Sequence, residues 1–283
     1  MNSNWVFGAA IVLVAIVVAV GGVALMRRTF SQERLQRHNE IAGPIHATIG
    51  VIYAVILAFV VIAVWDQLND AYASVVYESG ELIAMNHDLQ ALPVGEGRKV
   101  HAALEEYARA VIDREWPALE EDRYIVRTTP EYRELWSVIR RVEAEDRQGR
   151  VWLETMIDRL NSIDEWRSQR LLLVESSVPA PLWILLICGG LVTILFAALF
   201  GAEHGPTQMI MVSALAALIA FTLFLITAID HPFSGAVRVE PEAFRHALEQ
   251  IEETTLQEFP EGEELPQERG DRDPRDSKRS EPE

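Results

Sequence analysis

From Ile45 to Val64 the chain carries no Asp, Glu, Lys or Arg, and after Pro44 no proline follows until Pro93. No other feature constrains the fold as much. At about 1.5 Å per helical residue, a run of this length spans the roughly 30 Å of a bilayer's hydrocarbon core. Past Trp65 and Asp66 the sequence turns amphipathic without a helix breaker. The spacing predicts one long helix that leaves the membrane and enters a soluble helical domain. Gly43-Pro44 is expected to open it, because proline at a first helical position loses no hydrogen bond. Leu92-Pro93 and Gly95 are expected to close it.

Inside the membrane this helix has two kinds of face. Ala47, Gly50, Ala54 and Ala58 recur every three or four residues, a spacing that lets another helix approach closely. Ile52, Ile56 and Phe59 are bulky and share a second face. They are candidate residues for a hydrophobic constriction, which can gate a pore by dewetting. The plainer alternative is that they face lipid or pack in a core. His46, one turn in, is interfacial or at a pore mouth. Trp65 suits the membrane–water boundary. Beyond it, Leu68, Tyr72, Val75, Ser79, Leu82, Asn86 and Leu89 alternate by four and three, a coiled-coil seam with two polar positions. Glu78, three turns past Trp65, either rings an axial vestibule or pairs with another helix.

Three further charge-free runs complete the membrane part: Trp5 to Met26, Leu182 to Phe200, and Thr207 to Ile229. The first lacks a basic n-region and a cleavage site, so it reads as a retained span rather than a signal peptide. The expected fold is an all-α integral membrane protein of four transmembrane helices, with a soluble helical bundle inserted between spans two and three and continuous with both. The domains are the first helix with its basic loop (1–42), the second span (43–65), the bundle (66–178), the hairpin of spans three and four (179–230), an exit turn with an amphipathic helix (231–257), and an acidic tail (258–283). The tail is expected to be disordered, for it has almost no apolar residues. Within the bundle, helices are expected from about Glu96 to Trp116, stopped by Pro117, from Pro130 to about Arg147, and from Arg150 to about Ser177. The last carries Asp164 and Arg167 at seam positions.

The net charge of −17 argues against a nucleic-acid partner, which requires a basic surface. No Gly-rich phosphate loop, His-Glu-x-x-His or nucleophile motif occurs. No enzymatic activity, cofactor or metal site is therefore expected. His87-Asp88 and Asp164-Glu165 read as solvated helix faces, and Glu120, Glu121 and Asp122 as a loop with at most a weak cation site. The spans hold no Asp, Glu, Lys or Arg in their interiors, against the usual pattern of proton-coupled transport.

Ile52-Tyr53-Ala54-Val55-Ile56-Leu57-Ala58-Phe59-Val60-Val61, then Trp65 and Glu78, resembles the bacterial bestrophin-like domain family. Leu92-Pro93, Tyr107, Glu115-Trp116, Pro181-x-Trp183 and Asp230-x-Pro232-Phe233-x-Gly235 extend the likeness over about residues 43 to 250. Tyr53, Trp65, Asp230, Pro232, Phe233 and Gly235 are its motif residues, with structural roles expected. The resemblance implies kinship with bestrophins, which are pentameric anion channels whose second membrane helix lines the pore. It implies a homo-oligomer in a lipid bilayer with an inorganic ion as its partner. The alternative class is a non-conducting scaffold or sensor whose bundle binds a partner. Residues 66–177 hold 23 acidic and 14 basic side chains, a net of −9, and this repels anions rather than attracting them. The four arginines of residues 27–42 favour a cytoplasmic loop in a bacterial inner membrane, which places the bundle outside; the bestrophin likeness places it in the cytoplasm.

Overall fold

The computed structural model describes residues 2–30, 32–123, 129–142, 147–200 and 204–258, and among them every regular element is helical. The order is α1 (Asn2–Thr29), α2 (Gln32–Asp88), a 3-10 turn (Leu89–Ala91), α3 (Val94–Ala110), a π turn (Val111–Glu115), α4 (Trp116–Glu120), α5 (Pro130–Arg141), α6 (Arg147–Val174), α7 (Ala180–Ala198), α8 (Gly205–Ile229) and α9 (Glu242–Glu258). Four helices are long and apolar enough to cross a membrane: α1, the first half of α2, α7 and α8. The protein is a multi-pass membrane protein.

The central rod begins earlier than its proline. α2 starts at Gln32, so Pro44 lies inside the helix and the expected basic loop of residues 27–42 is mostly helical. Residues 32–42 contain no helix breaker. Pro44 costs only the bond to the Glu40 carbonyl, and both residues are exposed, where polar surroundings can satisfy that carbonyl. The other end of α2 agrees with expectation, tightening into the 3-10 turn before Pro93.

Pro117 does not stop its helix either. The amide of Trp116 donates to the carbonyl of Val111, five residues back, and the chain continues helically to Glu120. This wide turn changes the register of the hydrogen-bond ladder just before the proline, whose missing amide then falls in a first turn, where it is tolerated.

The bundle core lies between α2, α3, α5 and α6, with Leu82, Leu104, Leu135 and Leu160 fully buried in it. A fifth helix joins them. Phe244 and Ile251 of α9 are fully buried in the same core, Asn86 Nδ2 donates to Thr254 Oγ1 at 3.0 Å, and His101 Nε2 donates to the Ile251 carbonyl at 2.9 Å. Packing against α6 on one side and α9 on another widens the buried stripe of α2 beyond a heptad seam. Ala71, Ser74 and Met85 enter the core, while Tyr72 points outward at 62% exposure. A straight helix of 3.6 residues per turn drifts off a 3.5-residue repeat unless a single partner supercoils with it.

In the membrane, α1 packs on α7 and α8 through Ala19, Val23, Ala198, Val212 and Ala216. α2 packs on the same pair through Val60, Val64, Leu186, Ile226 and Ile229. Residues 175–179 link α6 to α7, and Gln67 of α2 donates to the carbonyl of Ser176 in that link. The expected tail lies outside the described residues from 259 onward, as do 124–128 of the charged connection.

Candidate functional site

In the middle of the bundle the rod meets four other charged or polar groups. Glu78 of α2 is fully buried and accepts from Arg170 of α6, Nε to Oε2 at 2.7 Å and Nη2 to Oε1 at 3.1 Å. Tyr107 of α3 donates its hydroxyl to Glu78 Oε1 at 2.5 Å. Glu115, at the end of the π turn, accepts from both terminal nitrogens of Arg167, Nη2 to Oε1 at 2.7 Å and Nη1 to Oε2 at 2.8 Å, and takes a further bond from Arg170 Nη2 at 3.0 Å. Arg167 also donates to the Tyr107 hydroxyl at 3.1 Å. Aromatic faces close the shell: Arg167 lies over Tyr107 and Tyr132, and Arg170 over Phe244. The cluster balances two carboxylates against two guanidiniums, the condition under which buried charge is tolerated.

The electrostatics follow from this geometry. Burial alone would raise the Glu115 carboxyl, but the charge of Arg170 and the hydrogen bonds of Arg167 outweigh it and hold Glu115 below the ordinary carboxylate range. The Tyr107 hydroxyl is pushed well above its usual value, first by burial and then by Glu78. Burial opposes the charge of Arg170, yet Glu78 and Glu115 prevail and raise it. Glu115, Arg167 and Arg170 therefore stay ionised at neutral pH, and the cluster works as a fixed clamp. It joins α2 and α6, the two helices that lead into spans two and three.

A second tie lies at the membrane exit. Asp230, buried after α8, accepts from the amide of Val178 at 2.7 Å and so fastens the α6–α7 link to the end of span four. Pro232 offers its carbonyl to the Val239 amide at 2.8 Å. Phe233 is buried with its ring edge-on to Trp116 at 5.9 Å. A Cβ on Gly235 would sit 2.6 Å from the His231 carbonyl and 2.7 Å from that of Ala228, so only glycine fits. In the bilayer, Tyr53 is buried, donates to the Leu186 carbonyl at 3.1 Å, and lies on Gly189 and Gly190 of α7.

The candidate constriction residues do not form one equivalent set. Ile52 and Phe59 are 57% and 69% exposed, whereas Ile56 is half-buried against the α2–α7–α8 cluster. His46 is stacked on Phe196 at 5.6 Å and edge-on to Phe200 at 5.4 Å, which sets it against the end of α7. Trp65 is half-exposed, and the small residues Ala47, Ala54 and Ala58 are uncovered by this chain. One uncovered face runs along α2, from Val55 and Ile62 in the membrane to Tyr72 and Val76 in the bundle.

Two expected solvated pairs are split by tertiary contacts. Asp88 pairs with Arg159 at 2.6 Å and Asp164 accepts from Tyr132 at 2.6 Å, while His87 and Glu165 remain exposed. The loop carboxylates are engaged too: Glu120 with Arg238, Glu121 with Arg123, and Asp122 with the Ser234 hydroxyl. Arg170 is the member of this cluster that the sequence pattern does not single out, and Arg167 stands out in it only as a basic residue at a seam position of α6.

Four membrane helices, a helical bundle inserted between the second and third, and a buried charge clamp inside that bundle define a class of multi-span helical membrane protein. Residues 13–244 match the bestrophin-like domain, and the chain belongs to that family. Its fold is similar to the crystal structure of a bacterial bestrophin homologue from Klebsiella pneumoniae, with a TM-score of 0.63 at 10% identity over 86% of this chain and 98% of that one. A point variant of that homologue gives 0.61 at 11% identity over the same shares. A structure described only as a membrane protein variant gives 0.63 at 13%, again over 86% and 98%. No curated protein matches the chain.

Proposed function

We propose that the chain assembles as a homo-oligomeric ion channel of the bacterial inner membrane, without enzymatic activity, and that α2 lines the pore. The uncovered face of α2 carries this reading. In the bilayer lipid covers such a face, but Tyr72 and Val76 lie beyond the membrane, where an exposed apolar row marks contact with another protein surface. A ring of copies with α2 towards its axis buries that row and leaves Ile52 and Phe59 beside the pore. Asp66 and Asp70, exposed where α2 leaves the membrane, and the bundle's net charge of −9 favour cations over anions at the mouth. The arginines of residues 27–42 favour a cytoplasmic α1–α2 connection, with the bundle outside.

The test is ion flux through liposomes holding the purified chain, with and without Phe59→Ala. The expected result is a measurable cation flux that the substitution changes several-fold. No flux under any salt or pH, together with no effect of Phe59→Ala, refutes it. A non-conducting scaffold or sensor is the competing reading, favoured by the rigid clamp between the two bundle helices that lead into spans two and three. A monomer or dimer in detergent and in lipid would support that alternative and remove the pore.

A further inference from the structure

We infer that the membrane domain holds the acyl chain of an anionic phospholipid in a groove between α1, α7 and α8. The groove has a volume of about 290 Å³ and is lined by apolar side chains, among them Ala15 and Gly22 of α1, Gly190 and Ile194 of α7, and Ala216 and Ala220 of α8. Small residues form much of its floor, so the trough has room for a chain rather than a bulky side chain. Its lining on α1 extends from Ile11 to Gly22, about 16 Å at 1.5 Å per residue, roughly half the hydrocarbon thickness. At that depth water is excluded. An unfilled trough forfeits dispersion contacts along both walls, and a lipid chain is the one molecule present throughout the bilayer that restores them.

The polar end of the groove selects the headgroup. α1 leaves the membrane at Arg27 and Arg28, within two helical turns of Gly22. Arg27 donates to Gln208 Oε1 at 2.9 Å and lies against Gly205, which places its charge at the start of α8. Arg28 is exposed and has no ion-pair partner among the described residues. Two guanidiniums at the headgroup level attract a phosphate with net negative charge. The same charge argues against a second copy of this chain, which would bring its own Arg27 and Arg28 to the same level.

The experiment uses the full chain in mild detergent, with native mass spectrometry after exposure to dioleoyl phosphatidylglycerol or dioleoyl phosphatidylcholine. Wild type is expected to retain one phosphatidylglycerol per chain in preference to phosphatidylcholine. Gly22→Leu fills the groove, and since a Cβ there meets nothing within 4 Å the helix accepts it; retention should fall about tenfold. Arg28→Gln should keep a lipid but lose the preference for the anionic headgroup. Unchanged retention in folded Gly22→Leu overturns the inference. So does a shift in oligomeric state without a change in retention, which assigns the groove to a second copy. Photolabelling of wild type by phosphatidylglycerol with an acyl-chain diazirine gives an independent reading. Adducts concentrated between Ile11 and Gly22 support the site, and adducts spread evenly over lipid-facing positions such as Phe7 and Ile210 refute it.

Discussion

Replacing Arg170 by methionine keeps the length of the side chain and removes its charge. The guanidinium makes two bonds to Glu78 and one to Glu115, and it is fully buried. Without it Glu115 still has both bonds from Arg167, but Glu78 retains only the Tyr107 hydroxyl and becomes an uncompensated buried charge. Breaking a buried pair by removing one partner costs about 3–5 kcal/mol. For a chain of this size each kcal/mol moves the midpoint by roughly 2–4 °C, so a fall on the order of 10 °C is expected. Arg159→Met is the control: its pairs with Glu81 and Asp88 are partly exposed, and such pairs contribute about 1 kcal/mol or less. Tryptophan fluorescence during heating in detergent follows the bundle, since Trp116 packs in its core. The double variant Arg170→Met with Glu78→Gln removes the stranded charge and should recover part of the loss. If Arg170→Met lowers the midpoint no further than Arg159→Met, the clamp is not what holds the bundle together.

The Glu115 pKa is held below its unfolded value near 4.5, so its ionised form stabilises the bundle above that pH, and the contribution disappears as the pH falls through the lower, folded value. Thermal midpoints should thus be level towards neutrality and fall at strongly acid pH, with a shallower fall in Glu115→Gln. Tyr53→Phe should cost about 1 kcal/mol for the lost bond to the Leu186 carbonyl, read as a small drop in midpoint. Gly190→Val should cost more, because a Cβ there lies 2.8 Å from the Tyr53 hydroxyl and 3.0 Å from Ile219. Gly235→Ala should destabilise the exit turn by about 2 kcal/mol or more, since the two carbonyls that crowd its Cβ belong to the backbone and cannot rotate away.

The resemblance to a family was legible in Glu78, Tyr107 and Glu115-Trp116, although nothing local says that three of these residues meet. Tyr107 and Glu115 stand 29 and 37 positions from Glu78 along the chain, and the cationic partners Arg167 and Arg170 lie on α6, 89 and 92 residues beyond it. An arginine in an amphipathic helix ordinarily faces water, so Arg170 carries no sign of burial, and Arg167 only its seam position, until α2 and α3 are packed against them. The helix ends at Pro44 and Pro117 were misread for a related reason. A proline is a strong local stop, yet at Pro44 the exposed neighbouring backbone absorbs its cost and at Pro117 a π turn precedes it.

The sequence by itself determined the four spans and the single rod from membrane to bundle. A bilayer offers no hydrogen bonds to the backbone, so a segment that crosses outside a closed barrel satisfies its own as an apolar helix, and that demand is written residue by residue in the chain. Only the tertiary structure decided which face of the rod is covered, that α9 completes the bundle, and that Glu78 and Glu115 are bound to Arg167 and Arg170. Those outcomes depend on contacts between distant segments. A local pattern specifies that a helix is amphipathic, but the charge it can bury depends on the helices that surround it.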